Sequence, residues 1–373
     1  KAIYRDGFGS TLLRGVEEEA LSKIKFPAVT IPGYSQDTIN WPLGNLLEDS
    51  VKTGINQTEL NGIAKRLIDE NGYNGTAFAF LVLHKGIPVV EAYRAQFNPA
   101  TRFLSWSMSK SVINAMVGIL VKEGKLDISK PADIREWKDD ERSKITMNDL
   151  LQMQSGLKWN EDYGNRSNVN VMLHCEGNMA KYAYDQPSEY PAGTHYYYSS
   201  GTANIISHII RKQFSNDSLY YSFAYSSLFN KIGMPDAIFE VDPSGTMVGS
   251  SYLYATARDY ARFGLLYMND GIFNGERILP EGWVKYSRTP ASDSNGEYGA
   301  LFCLNKIKAM TAKPENEFYL SAPEDMFYCD GHDGQEIFIL PSQDLVVVVL
   351  GFSPSSNGGM DFDSLLKDII DTL

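Results

Sequence analysis

Ser107-Met108-Ser109-Lys110 sets a hydroxyl and an amine three residues apart, which on a helix places both on one face, a single turn from each other. A serine hydroxyl is a weak nucleophile near neutral pH and needs a group to take its proton. An amine held in a low-dielectric setting has its pKa lowered and can act as that base. Ser-x-x-Lys is common on solvated helix surfaces, but the residues after it here are Val112, Ile113, Ala115, Met116, Val117, Ile119, Leu120 and Val121. They are apolar on nearly every side, so a buried helix is expected. Burying Lys110 against it costs free energy unless the amine has a partner or a task.

Two further groups carry polar chemistry. In Tyr196-Tyr197-Tyr198-Ser199-Ser200-Gly201, ahead of a helix starting near Thr202, Tyr198 and Ser200 can both point into a cleft. A phenol beside a lysine cation is expected to have a lowered pKa and to serve as base or proton relay; in a chain with 22 tyrosines, a packing cluster is the alternative. In Gly331-His332-Asp333-Gly334-Gln335, small residues at a strand start let a substrate lie against the backbone and let an N–H reach an oxyanion; a plain loop is the alternative. Trp159, Tyr163, Tyr182 and Tyr184 are expected to line part of the cleft or to pack at the surface. The five histidines, His84, His174, His195, His208 and His332, come with neither a Gly-x-Ser-x-Gly elbow nor a His-x-x-x-His spacing. A zinc site and a Ser-His-Asp triad are therefore not expected.

The elements that must position these residues fall into two lobes. Gln57 to Glu70 has helical period and ends at Asn71-Gly72, and Thr76–His84 and Ile87–Arg94 form a hairpin around Lys85-Gly86. Strand signals then fade from Leu126 to about Asp242, where Met147–Met153, Ala203–Phe214 and Leu219–Ile232 read as helices and the Tyr- and Asn-rich stretches between them as loops. Strands return at Met247–Ala255, Tyr298–Asn305 and Met326–Asp330. A hairpin of Gln335–Leu340 and Leu345–Phe352 follows, and Asp361–Leu373 closes as an amphipathic helix. The expected fold is α+β (an α/β sandwich), a central antiparallel sheet flanked by helices with an inserted, mainly helical lobe. Residues 57–125 plus 243–373 make the sheet domain, 126–242 the insertion, and 1–56 an irregular extended arm containing Pro27, Pro32, Tyr34, Trp41 and Pro42. The cleft between lobes is the natural site.

With 373 residues, 43% hydrophobic and 21% charged, the chain is globular in composition, and its net charge of -12 disfavours nucleic acid and anionic membranes as partners. No apolar run approaches the ~20 residues needed to span a bilayer. Lys1 in place of a methionine implies that a signal segment or other sequence was removed. Cys175, Cys303 and Cys329 have no metal-ligand spacing; the strand-like settings of Cys303 and Cys329 allow a cross-strand disulfide or two buried free thiols.

Together these motifs resemble the serine β-lactamase and penicillin-binding-protein superfamily, in the pattern of its class C enzymes, related esterases and 6-aminohexanoate-dimer hydrolases. Ile145-Thr146 through Leu157 resembles its "TIxxLLxHTSGL" segment, Tyr190-Pro191-Ala192-Gly193 with Tyr198-Ser199-Ser200 its "PG…YS(N/S)", and Ala255-Thr256-Ala257-Arg258-Asp259 through Gly264 its "STARDLARFG" helix. The resemblance implies Ser107 as acylated nucleophile, Lys110 as base, Tyr198 as proton carrier to the leaving group, and the N–H groups of Ser107 and Gln335 as oxyanion hole. It implies substrate contacts at Ser200, His332, Asp333, Gly334 and Trp159, small esters or amides as substrates, no metal or organic cofactor, and an extracytoplasmic location. Two departures point away from antibiotic hydrolysis: Tyr-Ser-Ser stands where many β-lactamases have Tyr-x-Asn, and His332-Asp333-Gly334 stands for Lys-Thr-Gly, so that Asp333 would repel a β-lactam carboxylate. A β-lactamase or D-alanyl-D-alanine peptidase remains the second reading, and a non-catalytic binding domain the third.

Overall fold

In the computed structural model, which describes residues 1–28, 36–47, 54–306 and 319–373, strands from both ends of the chain assemble into one six-stranded sheet. Its strands are β1 (Ala77–His84), β2 (Ile87–Tyr93), β3 (Cys303–Leu304), β4 (Phe327–Gly331), β5 (Gln335–Leu340) and β6 (Leu345–Gly351). They run in the order β3-β4-β5-β6-β1-β2, antiparallel throughout. The two ends meet at β6–β1, where Val348 pairs with Leu81 and Val346 with Leu83.

The helices that matter to the site and the core are α1 (Gln57–Ile68), α2 (Met108–Lys122), α3 (Ser200–Lys212), α4 (Ala257–Met268) and α5 (Phe362–Ile370). Strand side chains alternate between faces. Leu81, Leu83, Ile337, Val346 and Val348 accordingly pack in one core with α2 and α4, while Phe80, Val82, Phe338, Val347 and Val349 pack in another with α1 and α5. Gly264 lets α4 lie close to the sheet, since a Cβ there would stand 2.5 Å from a methyl of Val346. The fold is thus α+β, with one sheet covered by helices on both faces.

Several expected elements change. The N-terminal arm is not irregular: Ala2–Arg5 pairs with Gly9–Leu12 and a short helix covers Glu18–Ser22, while Pro32 and Tyr34 lie outside the described residues. The strand expected over Met247–Ala255 contracts to Leu253–Ala255, because Met247 to Ser251 turn back on themselves through local hydrogen bonds. The one over Tyr298–Asn305 contracts to β3. Within the insertion, stretches read as loops contain helices at Asn168–Cys175 and Met179–Tyr184, N-capped by the side chains of Ser167 and Asn178. Eight and six residues are too few for an apolar period to show, so the caps were the legible signal.

The register also removes the cross-strand disulfide. Cys303 faces Tyr328 across the β3–β4 pair, so Cys329, one residue on, turns its side chain to the opposite face. Both thiols are free, as is Cys175.

Candidate active site

Ser107 sits at the N-cap of α2, delivered there by a short strand, Phe103–Leu104, that pairs with Leu253–Ala255. Between strand and helix the chain turns at Trp106, whose φ of 46° lies in the left-handed region. That conformation is strained for a bulky residue, by about 1–3 kcal/mol. The Ser105 hydroxyl, bonded to the carbonyls of Trp106 and Ser251, braces the turn. The helix behind it is buried from Met108 to Leu120, as its composition requires.

Lys110 lies one turn down, 1% exposed, with its three ammonium donors directed to the Ser107 Oγ at 2.8 Å, the Ser250 carbonyl at 2.9 Å and the Ser200 Oγ at 3.1 Å. Burial pulls its pKa down from 10.5 to about 8, while Glu161, Asp330 and Cys303 act against that shift. An amine whose pKa is drawn down in this way can act as a base close to neutral pH.

Tyr198 completes the contact around the nucleophile. The Lys110 Nζ is 4.7 Å from its ring centroid, and the Tyr198 side chain stands beside Ser107. The Tyr197 N–H bonded to the Met153 carbonyl at 2.9 Å and the Ser199 side chain capping α3 fix this segment. The phenol, however, is not lowered as the sequence led us to expect. Burial pushes it well above its ordinary value of 10. A buried phenolate is disfavoured more strongly than the nearby cation can repay, so Tyr198 stays a neutral hydroxyl that donates and accepts but does not start as a base.

His332, Asp333 and Gly334 are the turn of the β4–β5 hairpin, with Asp333 (φ 62°) and Gly334 (φ 86°) both left-handed, rather than a loop ahead of one strand. His332 is held between rings, stacked on Tyr163 at 4.8 Å and edge-on to Trp106 at 5.4 Å. The Gln335 side chain is occupied in a two-way amide pairing with Gly351, donating to its carbonyl at 2.7 Å and accepting from its N–H at 3.1 Å.

Ser107, Glu161, Tyr163, Tyr198, His332 and Asp333 share the wall of a cleft of about 810 Å³, together with Gly334. Two expected substrate contacts do not reach it. Ser200 is wholly buried in the first turn of α3, beneath the nucleophile, where its hydroxyl links Lys110 to Glu161. Trp159 is packed on Gly201, where a Cβ would stand 2.6 Å from its ring, and donates its indole N–H to Glu161. Tyr182 and Tyr184 lie away from the cleft as well: Tyr182 sits edge-on to Trp159 and Tyr184 beside His208.

Glu161 is the residue that sequence reasoning missed. Its Oε1 accepts the Ser200 hydroxyl at 2.5 Å, and its Oε2 accepts the Ser200 backbone N–H at 3.0 Å together with the Trp159 indole. Its one sequence cue is an acidic residue two places after a tryptophan in a loop already placed at the cleft. Among the described residues no group of three His, Cys, Asp or Glu side chains is arranged to hold a metal.

The Beta-lactamase family model matches residues 60–369. A 6-aminohexanoate-dimer hydrolase of Paenarthrobacter ureafaciens is 27% identical over 327 residues, covering 79% of this chain and 78% of that protein. Among solved structures, a Bacillus anthracis protein provisionally described as a 6-aminohexanoate-dimer hydrolase aligns with a TM-score of 0.65 at 24% identity, over 82% of this chain and 79% of its own. A penicillin-binding-protein homologue from Caulobacter crescentus aligns at 0.62 and 14% identity, over 85% and 97%. EstCE1, a hydrolase with promiscuous acyltransferase activity, aligns at 0.65 and 14% identity, over 85% and 98%. At these identities the structural likeness is one of fold.

Proposed function

The chain belongs to the Beta-lactamase family, and from that premise we propose that it is a serine hydrolase that forms an acyl-enzyme at Ser107 with small esters or linear amides. The observation that carries this reading is the buried Lys110 amine, held 2.8 Å from the Ser107 hydroxyl with its pKa drawn down to about 8.

The steps follow from the protonation states. Neutral Lys110 takes the Ser107 proton as Oγ attacks the carbonyl carbon. Negative charge builds on the carbonyl oxygen, which the N–H groups of Ser107 and Gln335 are assigned to receive. Collapse breaks the bond to the leaving nitrogen or oxygen, which takes a proton from the Lys110 ammonium by way of the neutral Tyr198 hydroxyl. Water then attacks the acyl carbon, gives its proton back along the same path, and releases Ser107 and the free acid.

An ester or amide without a required carboxylate suits the cleft better than a β-lactam. Asp333 stands in the hairpin turn, and Glu161, Asp330 and Glu336 also line the wall; among the described residues that line it there is no lysine or arginine. Like charges in a partly water-excluded cleft repel an incoming anion.

Hydrolysis of p-nitrophenyl butyrate and of a small linear amide without a carboxylate by the protein and by Ser107→Ala tests the reading. Turnover that vanishes in the variant supports it, and equal rates in both overturn it. Rapid turnover of a chromogenic cephalosporin would favour the β-lactamase alternative instead.

A further inference from the structure

Beneath the nucleophile runs a chain of polar atoms longer than acylation itself needs. The Lys110 Nζ donates to the Ser200 Oγ at 3.1 Å, and the Ser200 Oγ donates to the Glu161 Oε1 at 2.5 Å. Ser200 is fully buried, so its hydroxyl has no solvent to serve and its two neighbours are a cation and a carboxylate. Glu161 is half-buried, and its far side lies on the cleft wall. Its second oxygen is fixed by the Trp159 indole and the Ser200 N–H. A carboxylate held by three donors, one hydroxyl away from a buried amine, is a preorganised partner for the charged form of that amine.

Resting on the serine-hydrolase reading, we propose that Glu161 is a positioning residue for Lys110, acting through Ser200: it steadies the amine against Ser107 and, at the end of this hydrogen-bond chain, favours its charged form.

The rival explanation is that Glu161 merely caps the N-terminus of α3, where a carboxylate is favoured by the helix dipole. The two differ in the pH profile. The titratable groups facing Lys110 are Glu161 from its loop and Asp330 and Cys303 from the sheet, with the Tyr198 ring over the amine. Glu161 leads those that favour the protonated amine. Removing its charge must therefore move the rising limb of kcat/KM to lower pH, by about one unit.

The experiment is the pH dependence of kcat/KM for p-nitrophenyl butyrate in the wild type, Glu161→Gln, Glu161→Asp and Ser200→Ala, with Ser107→Ala as control. The limb is expected to fall by about one unit in Glu161→Gln, to return towards the wild-type position in Glu161→Asp, and to shift the same way in Ser200→Ala, which takes an acceptor from the charged amine. The double variant Glu161→Gln with Ser200→Ala should be no worse than Glu161→Gln alone, since both cut one path. A limb that stays in place in Glu161→Gln while only the melting temperature drops overturns the proposal. If Glu161→Gln does not fold, an unmoved limb in Ser200→Ala overturns it. Undiminished activity in Ser107→Ala would remove the serine-hydrolase reading itself, a result separate from any behaviour of the Glu161 variants.

Discussion

Gly331 lies against the Ser105 carbonyl so closely that a Cβ on it would stand 2.4 Å from that oxygen and 2.8 Å from the Gln335 Cβ. The contact joins the end of β4 to the turn that presents Ser107, and so sets how the β4–β5 hairpin lies against that turn. Backbone cannot yield as a side-chain tip can. Gly331→Ala is expected to separate hairpin from nucleophile by several tenths of an ångström or more. Activity should fall on the order of 10²-fold, with far-UV circular dichroism unchanged. Full activity in that variant would show that the hairpin does not position the reacting groups.

Lys110 makes a prediction in two directions. In the proposed mechanism the neutral amine is the base, and its pKa is drawn down to about 8, so kcat/KM should rise with pH through about 8. Lys110→Met should lower kcat/KM by about 10²–10⁴-fold. Its folded pKa lies below its value of 10.5 in the unfolded chain, so the unfolded state binds the extra proton between pH 8 and 10.5. The charged amine thus costs stability in full below pH 8, and that cost is relieved as pH rises to 10.5. Thermal midpoints of the wild type relative to Lys110→Met, measured across pH 7 to 10, check the sign.

Glu240 titrates away from the reacting groups. Burial raises its carboxyl from 4.5 to about 7, although the Ser10 N–H donates to it at 2.5 Å. The folded state binds this proton more tightly, so stability falls as pH rises from 4.5 to 7 and the cost is complete above 7. Glu240→Gln keeps an acceptor for Ser10 and removes the charge. It should stabilise the protein on the order of 1–3 kcal/mol at pH 8 and little near pH 4.5, read from urea denaturation midpoints.

The three free thiols differ in exposure: Cys175 is exposed, Cys303 half-buried and Cys329 buried. Burial also pushes the Cys303 and Cys329 thiols up, which slows their attack. A disulfide-exchange reagent should label Cys175 rapidly in the native protein and all three in denaturant. A count of one in denaturant without reductant would restore the Cys303–Cys329 bridge.

How far the sequence carried depended on how local each feature is. The Ser107–Lys110 pair was legible because three helical residues fix its geometry wherever the helix goes, and the apolar run after it already required burial. The β1–β2 and β5–β6 hairpins were legible for the same reason, each strand pair lying within a few residues of its turn. The Asn168–Cys175 and Met179–Tyr184 helices were not, being too short for a period and held by tertiary packing as much as by their caps.

What the sequence by itself determined was the Ser107–Lys110 pair on one buried helix and a sheet built from both ends of the chain, since apolar periodicity and one helical turn settle these. Only the tertiary structure decided the rest. Ser200 meets Glu161 across 39 residues and Lys110 across 90, Trp159 and Ser200 turn inward rather than to the cleft, and Cys303 and Cys329 point to opposite faces through the β3–β4 register. Protonation states belong with them. Whether Tyr198 or Lys110 gives up its proton depends on how much water each loses and which charges surround it, and both are set only when distant segments close over the site.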